Sequence, residues 1–345
     1  MIYRFSLIEK ILLSKDIIPH PFADASFSVG LGFALGSSVK LGIADALTTG
    51  YQDVKQIAKT SGCSETGTTL ILDCLEALGY VQKSGTAYAF NKRGFKSLSQ
   101  KSPENFRNFI LFCDYLYKGY LKLDDTIKTG KRSGGGMLDE MSAHEWELFS
   151  RAMIDISQTN YKEVAGKIPI PAGPARLLDL GGSHGLYSIE LCRRHRQLNA
   201  VIVDLPPVKP YADECIAKHH AAERVSFLAA DFMKDNLAGD NDVILAFNII
   251  HGLNREENEQ LAAKVFSLLK PGGQYVILDQ IKGIGGKSQL SKATTSYMAL
   301  NLLHQAGGKT YTEEEVKEIT GKAGFTQTVL KKLHAPGFGV IICKK

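Results

Sequence analysis

An aspartate and three glycines form the first group of residues in this chain that is suited to bind a ligand. The stretch Leu177–Leu180 is apolar apart from Asp179, and Gly181, Gly182 and Gly185 follow it. Apolar residues then return at helical spacing, so the pattern predicts a strand, a tight turn and a helix, the first unit of a doubly wound sheet. Such sheets bind ligands at the carboxyl ends of their strands, and glycines let the backbone approach a ligand closely.

This pattern differs from the fingerprint of a dinucleotide site. That fingerprint, G-x-G-x-x-G, would need glycines where Ser183 and Leu186 stand. Asp204 instead closes the next apolar run, Ala200–Val203, where its carboxylate can accept hydrogen bonds from both hydroxyls of a ribose. A ligand with a ribose, a positive charge and no phosphate therefore suits this acidic rim better than NAD does, and S-adenosylmethionine is such a ligand. The alternative is a turn that binds nothing.

Composition and charge indicate an ordinary soluble protein of about two domains. The 345 residues are 44% hydrophobic and 22% charged, and the net charge of +5 is scattered, which permits nucleic-acid binding without arguing for it. No apolar run approaches the roughly 18 residues of a membrane span, and charged residues flank Ile11–Leu13, which argues against a signal peptide. Six dispersed cysteines form no Cys-x-x-Cys pair and no zinc pattern. We expect reduced thiols, no metal and a cytoplasmic location.

The first 100 residues are predicted to contain a winged helix that follows a long helix. Residues 20–50 are apolar over a wide helical arc, as in a helix buried against a partner. Residues 53–97 then indicate helix, turn, helix and hairpin, with Ser64 as the cap of the second helix and Gly79 at its end.

The charge of the second of these helices bears on its function. It carries Glu65, Asp73 and Glu76 but neither lysine nor arginine, whereas a helix that recognises DNA presents basic and amide side chains to the groove. We therefore expect a dimerisation module in a homodimer, and a DNA-binding regulator is the alternative.

The remaining chain is predicted to divide into a helical segment and a sheet domain. Residues 101–170 are helical in pattern, rich in aromatic residues and interrupted by a flexible break at Gly134–Gly136, and a few of them are expected to line a pocket for a planar substrate. Strands and helices alternate through residues 171–345, which predicts a mainly parallel sheet with covered faces. The predicted fold class is α/β, a Rossmann-like doubly wound sheet behind a mostly helical winged-helix domain.

Six motifs occur in an order and at spacings that match one family. They are Asp179–Gly185, Val203–Pro206, Asp231–Met233, Ile249–His251, Lys270–Gly273 and Gly307–Lys309. With them the chain resembles the class I S-adenosylmethionine-dependent methyltransferases, specifically the small-molecule O-methyltransferases with an N-terminal winged-helix dimerisation domain. The resemblance covers nearly the whole chain, and although each motif is weak alone, the ordered set is strong.

The resemblance implies a cofactor site at the carboxyl ends of the first strands. The three glycines would pass close to the methionine part of S-adenosylmethionine, and Asp204 would hold the ribose. Asp231 would take the adenine amino group, and Phe232 would pack against the adenine. The full set of implied cofactor residues is Asp179, Gly181, Gly182, Gly185, Asp204, Leu205, Asp231, Phe232 and Asn248.

The resemblance also implies a catalytic pair. His251 would be the general base, and Asp279 falls where an acidic residue orients that histidine. A histidine with an ordinary pKa near 6.5 can accept the proton of a phenol as its oxygen attacks a methyl group. The chain departs from the family at Ser183, which replaces a glycine, and at Gly252 and Thr310, which replace acidic residues.

The function implied by the resemblance is methyl transfer to a hydroxyl of a small, aromatic molecule. Three alternative functions stay open on the sequence: methylation of carbon or nitrogen, non-methyl chemistry on the same fold, and a regulator that uses the winged helix on DNA. The alternative for His251 is a hydrogen-bonded loop histidine that is not a base.

Overall fold

The computed structural model describes residues 21, 23–133 and 141–345. The predicted break at Gly134–Gly136 and the predicted absence of a signal peptide around Ile11–Leu13 concern residues outside this part. The chain forms two compact units, of which the first ends at Tyr115 and the second begins at Leu116. The three-part division into residues 1–100, 101–170 and 171–345 stays a prediction.

The first unit is mostly helical and carries one small sheet. After a π-helical turn at Ala23–Phe27, its elements are α1 (Ser28–Lys40), α2 (Ile43–Ala46), β1 (Gln52–Asp53), α3 (Val54–Ser61), α4 (Glu65–Ala77), β2 (Val81–Ser84), β3 (Ala87–Phe90), α5 (Lys92–Leu98) and α6 (Arg107–Tyr120), which runs into the second unit.

The predicted order of helix, turn, helix and hairpin is present in this unit. The Ser64 hydroxyl accepts a hydrogen bond from the backbone N–H of Gly67 at 3.1 Å, so Ser64 caps α4 as expected. Strand β1 was not predicted, and it pairs with β3 opposite β2. The single long helix expected over residues 20–50 is interrupted, because Gly42 adopts φ +73°, which a right-handed helix cannot contain.

The second unit alternates strands and helices over most of its length. Its further elements are α7 (Leu123–Thr129), α8 (Ala143–Ser157), α9 (Tyr161–Lys167), β4 (Ala175–Leu180), α10 (Leu186–Arg194), β5 (Leu198–Asp204), α11 (Lys209–Lys218), β6 (Val225–Ala229), β7 (Asn241–Phe247), α12 (Arg255–Leu268), β8 (Leu269–Lys282), α13 (Gln289–Ala306), β9 (Tyr311–Thr312), α14 (Glu313–Lys322), β10 (Gln327–Lys332) and β11 (Phe338–Lys344).

One sheet organises this unit, with the strand order β10-β11-β8-β7-β4-β5-β6 and with β9 paired to β8. Strands β4 to β8 are parallel to one another, whereas β11 is antiparallel to β8 and β10 is antiparallel to β11. The prediction of a doubly wound, mainly parallel sheet is confirmed. The strand order reverses direction between β4 and β7, and ligands bind at such a switch point, outside the carboxyl ends of the strands.

Both faces of the sheet are covered, and this places the side chains of β4. Leu177 belongs to the core on one face, whereas Leu178 and Leu180 belong to the core on the other. Because side chains alternate along a strand, Asp179 lies on the same face as Leu177, beneath α10. This arrangement explains why β4 is apolar at nearly every position and why its one charged inner residue is buried.

Two parts of the sheet differ from the sequence-based expectation. The proline and two glycines of the Lys270–Gly273 motif are typical of a turn, but strand β8 already begins at Leu269, so this motif forms its irregular start, where Gly272 has φ +75°. Strands β9 and β10 were not predicted. Within the described residues, no helix is long and apolar enough to cross a membrane.

Candidate active site

The glycine loop after β4 is held in a conformation that only small residues allow. Gly181 and Gly185 adopt φ values of +63° and +72°. A Cβ atom on Gly181 would overlap the side chain of Ile249, and one on Gly185 would overlap that of Ile202. Gly182 lies directly against the carboxyl group of Asp179. The loop therefore leaves its backbone close to the strand ends, where a ligand can approach it.

Ser183 occupies the third position of this loop and also has positive φ, +48°. Its backbone N–H donates to Oδ2 of Asp204 at 2.8 Å, while its Oγ is buried with no hydrogen-bond partner in the described part of the chain. The departure from glycine thus keeps the turn, at the cost of a strained backbone and an unsatisfied hydroxyl.

Asp179, the penultimate residue of β4, is buried next to the glycine loop, with 1% of its surface exposed. Its Oδ2 accepts a hydrogen bond from the Ser188 hydroxyl at 2.6 Å, whereas its Oδ1 has no partner among the residues described. Burial raises the pKa of Asp179 to about 7. The hydrogen bond from Ser188 lowers this pKa, whereas the negative charge of Asp204 raises it further. The carboxyl group is therefore poised between its neutral and charged forms near pH 7.

Asp204 ends β5 beside the glycine loop. Its Oδ1 accepts from the backbone N–H of Leu205 at 2.7 Å, and with the Ser183 contact both oxygens are anchored. Burial raises the pKa of Asp204, and the two backbone hydrogen bonds oppose that shift. The carboxylate is thus fixed at the rim where the sequence analysis placed a ribose.

The other predicted cofactor residues follow β6 and β7. The Asp231 carboxylate accepts from the backbone N–H of Met233 at 2.9 Å and pairs with Lys234 at 2.9 Å, and the lysine contact is the main reason why its pKa is lowered. The Phe232 ring lies 3.6 Å from the position of a Cβ on Gly181, so it borders the glycine loop. Asn248 is exposed after β7 and has φ +55°.

The predicted catalytic pair is in direct contact. His251 lies in a 3-10 turn after β7, and its Nδ1 is 2.7 Å from Oδ1 of Asp279, a fully buried residue of β8. The backbone N–H of His251 also donates to Oδ2 of Asp279 at 3.3 Å. Burial lowers the pKa of His251, but the charge and the hydrogen bond of Asp279 outweigh it, so the net shift is upward.

The segment after α13 supports the same histidine from its backbone side. Gly308 packs so closely against the His251 carbonyl group that a Cβ would overlap it, and the N–H of Lys309 donates to that carbonyl at 2.9 Å. A Cβ at Gly252 would have open space around it, so no other group of the described residues fills the position of the missing acid within 4 Å. Asp279 and the Gly308 backbone therefore hold His251.

His184 is a residue of the glycine loop whose importance the sequence reasoning missed. It is buried, its Nδ1 accepts from the N–H of Leu186 at 3.0 Å, and its Nε2 is 2.9 Å from the Ser157 hydroxyl on α8. Burial lowers its pKa to about 4, although a hydrogen bond to the Met153 backbone partly raises it. The ring is therefore neutral near pH 7. Its position inside the motif was the only signal in the sequence.

The structure places these residues in two adjoining groups at the carboxyl ends of β4 to β8. The first group consists of Asp179, Asp204 and Phe232, which lie around the glycine loop. The second group is the pair of His251 and Asp279. His251 follows two residues after Ile249, whose side chain lies against Gly181. The backbone cradle and the unpartnered Oδ1 of Asp179 suit a cofactor with a cationic part. Among the residues described, no cluster of histidine, cysteine, aspartate and glutamate could hold a metal ion.

Comparisons with known proteins agree with this geometry. Residues 123–326 match the O-methyltransferase domain family. A 3-hydroxy-5-methyl-1-naphthoate 3-O-methyltransferase from Streptomyces sahachiroi is 25% identical over 89% of this chain and 90% of its own length. An L-tyrosine C(3)-methyltransferase from Streptomyces lavendulae is 24% identical over 84% of this chain and 82% of its own length.

A solved structure shows the same fold. Human N-acetylserotonin methyltransferase in complex with S-adenosylmethionine superposes with a TM-score of 0.80 at 22% identity, and the match covers 100% of this chain and 99% of that one. Because the family match spans more than half of the chain, this protein belongs to the O-methyltransferase domain family and is an S-adenosylmethionine-dependent methyltransferase.

Proposed function

We propose that this enzyme methylates a hydroxyl group of a small aromatic molecule with His251 as the general base. The observation that carries the proposal is the 2.7 Å contact between Nδ1 of His251 and the buried Asp279. A buried carboxylate that accepts the Nδ1–H fixes the neutral tautomer, so the lone pair lies on Nε2. That nitrogen is the one available to take a proton.

The proposed mechanism divides the work between binding and proton transfer. S-adenosylmethionine supplies a methyl group made electrophilic by its sulfonium. Nε2 of His251 accepts the hydroxyl proton as the acceptor oxygen becomes nucleophilic, and Asp279 stabilises the imidazolium that results. The glycine loop and Asp204 hold the other reactant in line, and such alignment contributes much of the rate.

The cofactor assignment of individual residues is part of the proposal. Asp204 is anchored by two backbone N–H groups, which leaves its remaining lone pairs for the ribose hydroxyls. Asp179 is the partner proposed for the cationic methionine end. Asp231 is already paired with Lys234, so an adenine amino group would share that carboxylate. Phe232 borders the loop and is assigned to the adenine ring, and Leu205 and Asn248 complete the rim.

The acceptor is inferred from the chemistry of relatives. One relative methylates the hydroxyl of a naphthoate, which supports a hydroxylated aromatic acceptor here. A second candidate is carbon methylation of a phenol ring, which is supported by the relative named for tyrosine C3. A histidine base suits both reactions, since each needs the phenol proton removed.

The first unit is proposed to be a winged helix that mediates a homodimer. Its helix α4 is acidic, and Asp73 on it pairs with Lys83 at 2.6 Å, which does not suit a nucleic-acid surface. Several apolar side chains of the unit, among them Val29, Leu41 and Leu70, are exposed in the single chain. We propose a cytoplasmic enzyme whose partners are its own second copy and a small molecule.

Incubation with S-adenosylmethionine carrying a ¹³C methyl group tests this function on a panel of hydroxylated aromatic acids and phenols. We expect S-adenosylhomocysteine to form and the label to show the carbon shift of an aryl methyl ether. A label on a ring carbon would select the second candidate. No S-adenosylhomocysteine with any hydroxylated acceptor would contradict the proposal.

A further inference from the structure

A buried histidine outside the catalytic pair has one ring nitrogen without a partner. His304 lies in the last turn of α13 with 4% of its surface exposed. Its Nδ1 is 2.9 Å from the Thr126 hydroxyl on α7, whereas its Nε2 is buried with no hydrogen-bond partner in the described residues. Buried polar atoms of side chains are seldom left unsatisfied, so this nitrogen calls for an explanation.

The Thr126 contact determines which nitrogen of His304 carries the proton. Within the described part of the chain, the Thr126 hydroxyl has no hydrogen-bond acceptor other than His304. If the hydroxyl is to be satisfied, it donates to Nδ1, and the neutral ring then carries its hydrogen on Nε2. The unpartnered atom is therefore a hydrogen-bond donor.

Helix α13 fixes this donor to the segment that carries the catalytic histidine. It packs against the 3-10 turn at Ile250–Gly252. The helix ends at Ala306, two residues after His304, Gly307 caps it, and the next residue, Gly308, packs on the His251 carbonyl. The helix that carries His304 thus leads directly into the stretch that supports His251.

An aromatic ring and a polar group stand beside the donor. The Tyr120 ring lies 5.1 Å from the His304 ring at an interplanar angle of 32°, and its hydroxyl donates to Asn301 Oδ1 at 2.7 Å. Burial raises the pKa of Tyr120, and a hydrogen bond with Tyr297 adds to that shift. An aromatic ring beside a buried hydrogen-bond donor suits a planar ligand that presents one oxygen to Nε2.

We propose that Nε2–H of His304 donates a hydrogen bond to a carbonyl or carboxylate oxygen on the aromatic acceptor, and that Thr126 orients the ring for this contact. The inference rests on the proposed function and goes beyond it, because it specifies a second functional group of the substrate class. The enzyme then selects hydroxylated aromatic molecules that also carry a carbonyl-type oxygen over simple phenols.

The test measures the affinity of three matched probes for the full-length enzyme saturated with S-adenosylhomocysteine. The probes are 3-hydroxy-1-naphthoate, its amide and 2-naphthol, which lacks the carbonyl group, and calorimetry gives each Kd. We expect the first two to bind about tenfold or more tighter than 2-naphthol. A hydrogen bond from one N–H donor predicts a preference for both the acid and the amide, whereas a preference for the acid alone would show that charge attraction accounts for it and would overturn the proposal.

Variants assign the preference to His304. His304→Phe keeps a ring against Tyr120 but removes the donor, and we expect it to abolish the preference. His304→Gln keeps an N–H donor and should retain most of it, and His219→Phe, at an exposed histidine of the α11 terminus, should leave it unchanged. Thr126→Val, which removes only the orienting hydroxyl, should weaken the preference and serves if His304→Phe fails to fold.

Two results would overturn the inference: wild-type enzyme that binds the three probes equally, or a preference that survives in His304→Phe. A preference that persists in that variant would mean that Nε2 does not bind the ligand, and that an ordered water or the packing explains why this nitrogen has no partner. The proposed function fails separately. If the probes bind with the predicted preference but no hydroxylated acceptor yields S-adenosylhomocysteine, the recognition contact stands and the methylation proposal does not.

Discussion

The charge state of His251 depends on two opposing influences, burial and Asp279. Burial alone would lower the pKa of the ring, and the carboxylate reverses the shift. A base must be neutral to accept a proton, so turnover should rise with pH through a pKa above the ordinary 6.5. The raised pKa makes the ring less available as a base at neutral pH, whereas the Asp279 contact holds it in the tautomer that the proposed reaction needs.

Asp279→Asn tests this balance. Without the charge, burial dominates, and the acidic limb of the pH–rate profile should move to lower pH than in the wild type. The plateau should fall by about tenfold or more, because the imidazolium loses its stabilising anion. The measurement is kcat across pH, with Asp213→Asn, at an exposed residue paired with Lys209, as the control. A limb that stays in place would show that Asp279 does not set the His251 pKa.

Asp179 leads to a prediction about cofactor binding. Because burial raises its pKa to about 7, a fraction of the free enzyme carries a proton there near pH 7. A cationic ligand beside the carboxyl group favours the charged form, so binding of S-adenosylmethionine should release protons near pH 7, and fewer at higher pH. Calorimetry in buffers of different ionisation enthalpy measures the number of protons released.

The matched variant for that experiment is Asp179→Asn, in which the release should disappear and the affinity should fall. Binding heats that are independent of the buffer in the wild type, or an unchanged release in the variant, would remove Asp179 from the cofactor site.

At the scale of elements, the connection from α13 to β9 positions the 3-10 turn that carries His251. Gly308 leaves no space for a Cβ next to the His251 carbonyl. Gly308→Ala must therefore shift the 3-10 turn, and we expect kcat to fall by up to about 10²-fold, since a displacement of the order of 1 Å is enough for such a loss. The affinity for S-adenosylhomocysteine should change little, because the glycine loop lies on other elements.

The control for this variant is Gly321→Ala, at a helical position of α14 where a Cβ meets nothing within 4 Å. It should keep full activity and add up to about 1 kcal/mol to the free energy of unfolding. If Gly308→Ala had wild-type kcat, the close approach would be irrelevant to catalysis.

Local sequence patterns predicted the strand, loop and helix that form the proposed cofactor site. The run Leu177–Leu180 and the glycines after it predicted β4, the loop and α10, because a switch from strand to helical periodicity is encoded within a few residues. Asn254 followed three positions later by Glu257 is the sequence pattern of a capping box at the start of α12, and both of its hydrogen bonds are present.

Local sequence patterns could not predict contacts between residues that are distant in the chain. Strand β10 alternates exposed and half-buried residues with no apolar run, so only its pairing with β11 defines it. The bond from His184 to Ser157 joins a loop to a helix 27 residues away, and no local rule encodes it. The contact of His251 with Asp279 depends on the register of β7 with β8, and its prediction came from the resemblance rather than from spacing.

At the scale of the whole molecule, the exposed apolar surface of the first unit predicts a stable homodimer. Light scattering at micromolar concentration should give about twice the chain mass of 37.7 kDa, with an interface of roughly 2,000 Å² or more. Val29→Asp, on an exposed apolar position of α1, should shift the population toward monomer. Leu121→Asp, at an exposed leucine of the second unit, is the control and should not. A soluble wild-type monomer would contradict the dimer.

The rate of the chemical step in a His251→Ala variant tests the central claim most directly. Single-turnover methyl transfer to an identified hydroxyl acceptor should be slower by about 10²–10⁴-fold, while the Kd for S-adenosylhomocysteine stays within about twofold of the wild-type value. The deficit should narrow as the pH approaches the pKa of a free phenol, about 10, because the acceptor then loses its proton without help. A variant that transfers methyl at the wild-type rate near pH 7 would show that His251 is not the base.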